Sequence, residues 1–115
     1  MTGDEPTWLN RSAIILTPKQ PYVAWASSVF DEPYEDPDES EGPTVFLGPD
    51  ADTIEEVAEF VEANFDIFFD HWLFEWCTDP TLWPRNRTLA MFREWFTVRI
   101  SSMVVDTVRE PLELD

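Results

Sequence analysis

From Ile54 to Cys77 the chain places an apolar residue every three or four positions, and no other feature limits the fold as strongly. Ile54, Val57, Ala58, Val61, Phe65, Phe68, Phe69, Trp72 and Trp76 fall on one side of a 3.6-residue period, which predicts one long amphipathic helix. Asp52 with Glu55, or Thr53 with Glu56, has the spacing of a capping box at its start. Thr78-Asp79-Pro80 ends it, because proline lacks the N–H that a further turn needs.

Two more ridges lie on the same helix. Glu55, Glu59, Glu62, Asp66 and Asp70 form an acidic one, and no Lys or Arg occurs between Ala51 and Pro80 to relieve it. Like charges at i, i+4 cost roughly 0.2–0.5 kcal/mol each. Burying aromatic side chains at roughly 1.5–3 kcal/mol apiece outweighs that. Phe60, Ile67 and Phe74 form the third ridge. A helix apolar on two sides needs two partners. One is the sheet; the other is either the helix expected over 88–96 or a second subunit, so a homodimer stays open.

Short apolar runs bounded by proline or glycine predict strands at Ala13–Leu16 and Thr44–Leu47, and β-branched residues predict the longest strand over Thr97–Val108. Tyr22, Trp25, Ala26 and Val29 share a helical face, with Pro21 in the first turn. Leu89, Phe92 and Phe96 resume helical spacing over 88–96. Residues 31–43 hold seven carboxylates, three prolines and no base, the pattern of a solvated acidic loop. The ends, 1–8 and 109–115, read as flexible. The expected architecture is a single α+β domain over 1–115 in β-α-β-α-α-β order. It has a small three-stranded sheet with two or three helices packed on one face.

With 24 acids against 7 bases the formal charge is −17. Direct nucleic-acid binding is excluded, since phosphate contacts need clustered Lys and Arg. An anionic membrane surface would repel the chain, and no apolar run approaches a membrane span. The acidic start lacks the pattern of a signal peptide, and the single Cys77 suits a reducing compartment, so a cytoplasmic location is expected.

Constellations for chemistry are sparse. Asp36, Asp38 and Ser40 suggest a calcium loop, but Glu41 stands where the turn glycine belongs and Leu47 where a bidentate glutamate belongs. His71 is the only histidine, between Asp70 and a Glu75 one turn on, with no second histidine for a zinc site. Cys77 has no base on its own turn and reads as buried. With only three glycines, no phosphate-cradling loop can be assigned. No cofactor is expected. Arg85, Arg87 and Arg93 gather around Trp83-Pro84 and the following helix. They pair with carboxylates of the long helix or cap its C-terminal end, or else form, with Trp83 and Trp95, a small anion or ligand spot. Eleven of the 17 aromatics lie between Phe60 and Phe96. They make a bulky core or, alternatively, a pocket lined by Trp72, Trp76, Trp83 and Trp95.

Leu9-Asn10-Arg11-Ser12, Pro18-Lys19-Gln20-Pro21-Tyr22 with Trp25, Trp83-Pro84-x-x-Arg87-Thr88, Phe92-Arg93-x-Trp95-Phe96 and Ser102-Met103-Val104-x-Asp106 resemble a family of small bacterial proteins of unknown function. The resemblance spans roughly Leu9 to Val108. It implies a bacterial source and a stand-alone domain, and it carries over no activity, ligand or catalytic residue.

Three functional readings follow. The first is a non-enzymatic interaction module that binds a basic protein through Glu55, Glu59, Glu62, Asp66 and Asp70; nucleic-acid mimicry is a subtype. The second is an enzyme or small-ligand binder built on the aromatic cluster with Arg87, Arg93 or His71. The third concerns habitat: one Lys, six Arg and many acids suit concentrated salt, which screens repulsion within a few Å.

Overall fold

The computed structural model describes residues 7–35 and 41–114. Among these, the elements in chain order are β1 (Thr7–Trp8), β2 (Ser12–Pro18), α1 (Gln20–Val29), β3 (Val45–Gly48), α2 (Ile54–Ala63), α3 (Phe65–Trp76), a 3₁₀ turn (Pro80–Leu82), α4 (Leu89–Trp95), β4 (Phe96–Ser101) and β5 (Val105–Asp106). The class is α+β, and the central sheet is three-stranded and antiparallel in the order β3-β2-β4.

Alternation along β2 decides which side the helices cover. Ser12, Ile14 and Leu16 are buried, whereas Ala13 and Ile15 are half-buried and Thr17 is exposed. Phe46 and Gly48 on β3 and Phe96, Val98 and Ile100 on β4 share the inward side. The helices pack there, around Tyr22, Ala26, Val57, Val61, Phe68, Phe69, Trp72, Leu73, Phe92 and Trp95. Tyr22 stands at the centre, its ring against Trp25, Tyr34, Trp72, Trp95 and Phe96. Its hydroxyl donates to the Trp72 carbonyl over 2.8 Å.

The long helix expected over Ile54–Cys77 is two helices. Asn64 leaves helical geometry at φ −127°, ψ 28°. Its side-chain Nδ2 donates to the Phe60 carbonyl, the kind of local bond by which asparagine competes with a helix. The break changes which residues reach the core. Ile54 is 51% exposed and Leu73, outside the expected stripe, is fully buried. The third ridge also divides: Phe60 packs against the core, while Ile67 and Phe74 face outward. Thr53 is the cap, with Glu56 N–H donating to Thr53 Oγ1 and Asp52 N–H donating to Glu56 Oε2.

The strand expected over Thr97–Val108 is interrupted, and its far part belongs to a second sheet. Trp8 pairs with Val105 and Thr7 with Asp106, so part of the lead-in expected to be flexible is a strand. Between the Trp8–Val105 and Ala13–Ser101 pairs, one strand advances five residues and its partner four. The two connecting segments thus differ by one residue, which offsets the register between the central sheet and the ribbon. The radius of gyration is 16.4 Å, above the roughly 13 Å of a compact chain this long. The lead-in before Thr7, residues 36–40 of the candidate calcium loop and Asp115 lie outside the described residues.

Candidate functional site

The acidic ridge divides at Asn64, with Glu55, Glu59 and Glu62 on α2 and Asp66 and Asp70 on α3. Two of the five are met by arginines. Arg87 Nη2 donates to Asp70 Oδ1 over 2.7 Å, and Arg93 Nη2 donates to Glu62 Oε1. Glu55, Glu59 and Asp66 are exposed and form no ion pair among the described residues.

The expected anion spot at Arg85, Arg87 and Arg93 does not assemble. Thr88 caps α4 through its hydroxyl, which sends Arg93 to the α2 side while Arg87 stays on the loop before the helix. Arg87 also donates to the Pro84 carbonyl, and its guanidinium lies 5.8 Å from the centroid of Phe69 and 5.6 Å from that of Trp83. Arg85 is exposed, with no ion pair among the described residues. Arg87 is therefore a clamp holding the loop on α3. Arg87→Ala is expected to cost about 1 kcal/mol, since a part-exposed ion pair and a cation–π contact each contribute modestly. Asp70→Asn, which keeps the stacking, should cost less in the same thermal melts.

The four tryptophans do not share a pocket. Trp72 and Trp76 line a cavity of about 260 Å³ with Tyr22, Tyr34, His71 and Glu75. Trp95 is buried against Tyr22, Trp25 and Phe69, and Trp83 lies against Arg87. Three indoles act as staples: Trp25 Nε1 donates to the Leu82 carbonyl, Trp76 Nε1 to Ala26 and Trp83 Nε1 to Cys77. His71 Nε2 stands 3.4 Å from Glu75 Oε1, with its ring edge-on to Phe46. Cys77 is buried and free. Burial, with Tyr34 and Glu75 adding to it, pushes the Tyr22 phenol well above its usual range. The Thr81 hydroxyl and N–H hold the Asp79 carboxyl below its usual value. No group of three or more His, Cys, Asp or Glu among the described residues is arranged to hold a metal ion. No helix of the described residues is long and apolar enough to cross a membrane.

A cleft of about 350 Å³ opens between α2, α4 and β4, with Val61, Leu89, Phe92 and Ile100 inside and Lys19, Glu62 and Arg93 around it. Lys19 Nζ donates to the Arg93 carbonyl over 2.8 Å, a cation at the C-terminal end of α4. This contact is not legible in the sequence, because 74 residues separate the two partners. Compared with protein-family models, curated proteins and solved structures, the chain matches none.

Proposed function

We propose that this chain is a non-enzymatic interaction module whose acidic helical surface receives a basic protein. The supporting observation is that Glu55, Glu59 and Asp66 are exposed on α2 and α3 and, among the described residues, form no ion pair, whereas Glu62 and Asp70 are met by arginines. Such a surface raises the rate of encounter with a cationic partner, most at low salt. On this reading the free Cys77 belongs to a reducing cytoplasm. Titration with an arginine–glycine repeat peptide tests the surface. Glu55→Gln, Glu59→Gln and Asp66→Asn together should weaken binding by roughly tenfold, as three exposed pairs at under about 1 kcal/mol each allow. Glu110→Gln with Glu113→Gln, in the tail, should change it little. Equal losses in both variants would refute a defined surface. Unfolding below molar KCl would instead assign the charge to a high-salt habitat.

One observation favours a second reading, a small-ligand binder. Lys19 and Arg93, the latter paired with Glu62, stand around an apolar cleft, so a ligand with a carboxylate head and an aliphatic body would take the place of Glu62 on Arg93. Its mark would be a medium-chain fatty acid whose binding is lost in Arg93→Met.

A further inference from the structure

The sheet has a side that no helix among the described residues covers, and its chemistry is unlike the rest of the molecule. Ala13, Ile15 and Thr17 on β2 alternate outward, joined across the registers by Val45 and Leu47 on β3 and by Thr97, Arg99 and Ser101 on β4. Val45 and Leu47 are each 52% exposed. The row Leu47–Ala13–Ser101 lies beside Val45–Ile15–Arg99, and neither contains an acid. The ribbon adds an acid-free pair of its own. Trp8 and Val105 are cross-strand partners, so their side chains share one side, and Trp8 is 64% exposed. Met103, between the ribbon and β4, is exposed as well.

Charge is partitioned in the same way. Segments 7–18, 44–48 and 96–106, which build both sheets, carry Arg11 and Arg99 against Asp106 alone, a net of +1. The remainder of the chain carries −18. The open strip is thus an acid-free surface, apolar at Ala13, Ile15, Val45 and Leu47 and crossed by Arg99, on a strongly acidic molecule.

We infer that this strip is the contact face of a homodimer, in which two sheets pack back to back with the ribbons extending the contact. Charge selects the occupant. The helical acids are concentrated on α2 and α3, so contact through those helices sets carboxylates against carboxylates, whereas contact through this strip adds none. Back-to-back sheets also place the two acidic helical layers on opposite outer sides. Size agrees. Three short strands alone give a patch of roughly 15 by 20 Å, small beside the roughly 800 Å² per partner of a stable interface. The exposed Trp8 and Val105 of the ribbon add apolar area beyond those strands, toward that requirement. An isolated two-stranded ribbon is marginal in water, so one bearing Trp8 and Val105 gains most from a cover. The inference does not rest on the acidic-surface reading, since Glu55, Glu59 and Asp66 remain outside the contact.

The test is mass by light scattering and sedimentation equilibrium on the full chain across micromolar concentrations, at moderate and high salt. The wild type should have the mass of two chains, with association strengthened by salt. Leu47→Glu and Val45→Glu change outward side chains. They should weaken dimerisation by at least tenfold while leaving the circular dichroism and the monomer's melting unchanged. Phe74→Glu, on the exposed apolar side of α3, should leave the dimer intact. A wild type that stays monomeric throughout would overturn the inference. So would a dimer broken by Phe74→Glu and spared by Leu47→Glu.

Discussion

Replacing Tyr22 with alanine is expected to remove roughly 3–5 kcal/mol of stability, the loss typical of a large aromatic truncated in a packed core. For a domain whose whole stability is about 5–15 kcal/mol, that approaches unfolding. The ring is 1% exposed and touches five other aromatic rings drawn from α1, α3, α4, β4 and the loop after α1. No nearby side chain is both small and mobile enough to fill the void. Tyr22→Phe separates the ring from the hydroxyl. It keeps the packing, forfeits the bond to the Trp72 carbonyl and should cost about 1 kcal/mol in urea melts. A cost of several kcal/mol for Tyr22→Phe would make the hydrogen bond, rather than the aromatic packing, the main contribution.

The same phenol predicts an alkaline limit. Burial raises the pKa of Tyr22 in the folded chain, while the unfolded chain keeps the ordinary value of about 10. Its contribution is therefore complete below about pH 10. It is lost progressively above that, where the unfolded state releases a proton that the folded state retains. Wild-type melting temperature should fall beyond pH 10, and Tyr22→Phe should flatten that fall. Identical alkaline slopes would show that other groups set the limit.

Much of this core was legible because its signals are local. Pro18 closes β2, Pro21 sits in the first turn of α1, and Thr53 with Glu56 opens α2. The strands of the central sheet appear within a residue or two of their expected starts. The break at Asn64 was hidden because one asparagine costs a helix only a few tenths of a kcal/mol more than its neighbours. The apolar spacing also continues across it. Only the third dimension shows that Leu73 turns inward and Ile54 outward. Strand β1 was missed because two residues cannot display alternation, and its partner lies nearly 100 positions away. The candidate acidic site was legible as a pattern, but not its division into paired and unpaired carboxylates. Whether Arg93 meets Glu62 or Asp66 depends on how α4 leaves its Thr88 cap, which spacing along the chain does not encode.

Gly48→Ala is expected to destabilise the domain by about 1–3 kcal/mol, through crowding rather than backbone strain. Gly48 faces the core beside Ser12, its partner in the β2–β3 register. A Cβ built there would stand 2.5 Å from Ser12 Oγ and 2.8 Å from Ile14 Cδ1. Both atoms belong to fully buried side chains, so neither can swing into solvent. Ser12 Oγ also has no hydrogen-bond partner among the described residues. Ser12→Ala alone should therefore be neutral or slightly stabilising, because a buried hydroxyl without a partner costs free energy. Combined with Gly48→Ala, it should recover part of the loss, a coupling of about 1 kcal/mol between neighbours. The remainder would come from Ile14, and Ile14→Val in the double background should then relieve crowding where it would otherwise only open a gap. Strict additivity of Ser12→Ala and Gly48→Ala would mean that β3 moves away from β2 to admit the methyl group. The strand pair that carries Val45 and Leu47 would then be looser than its register implies.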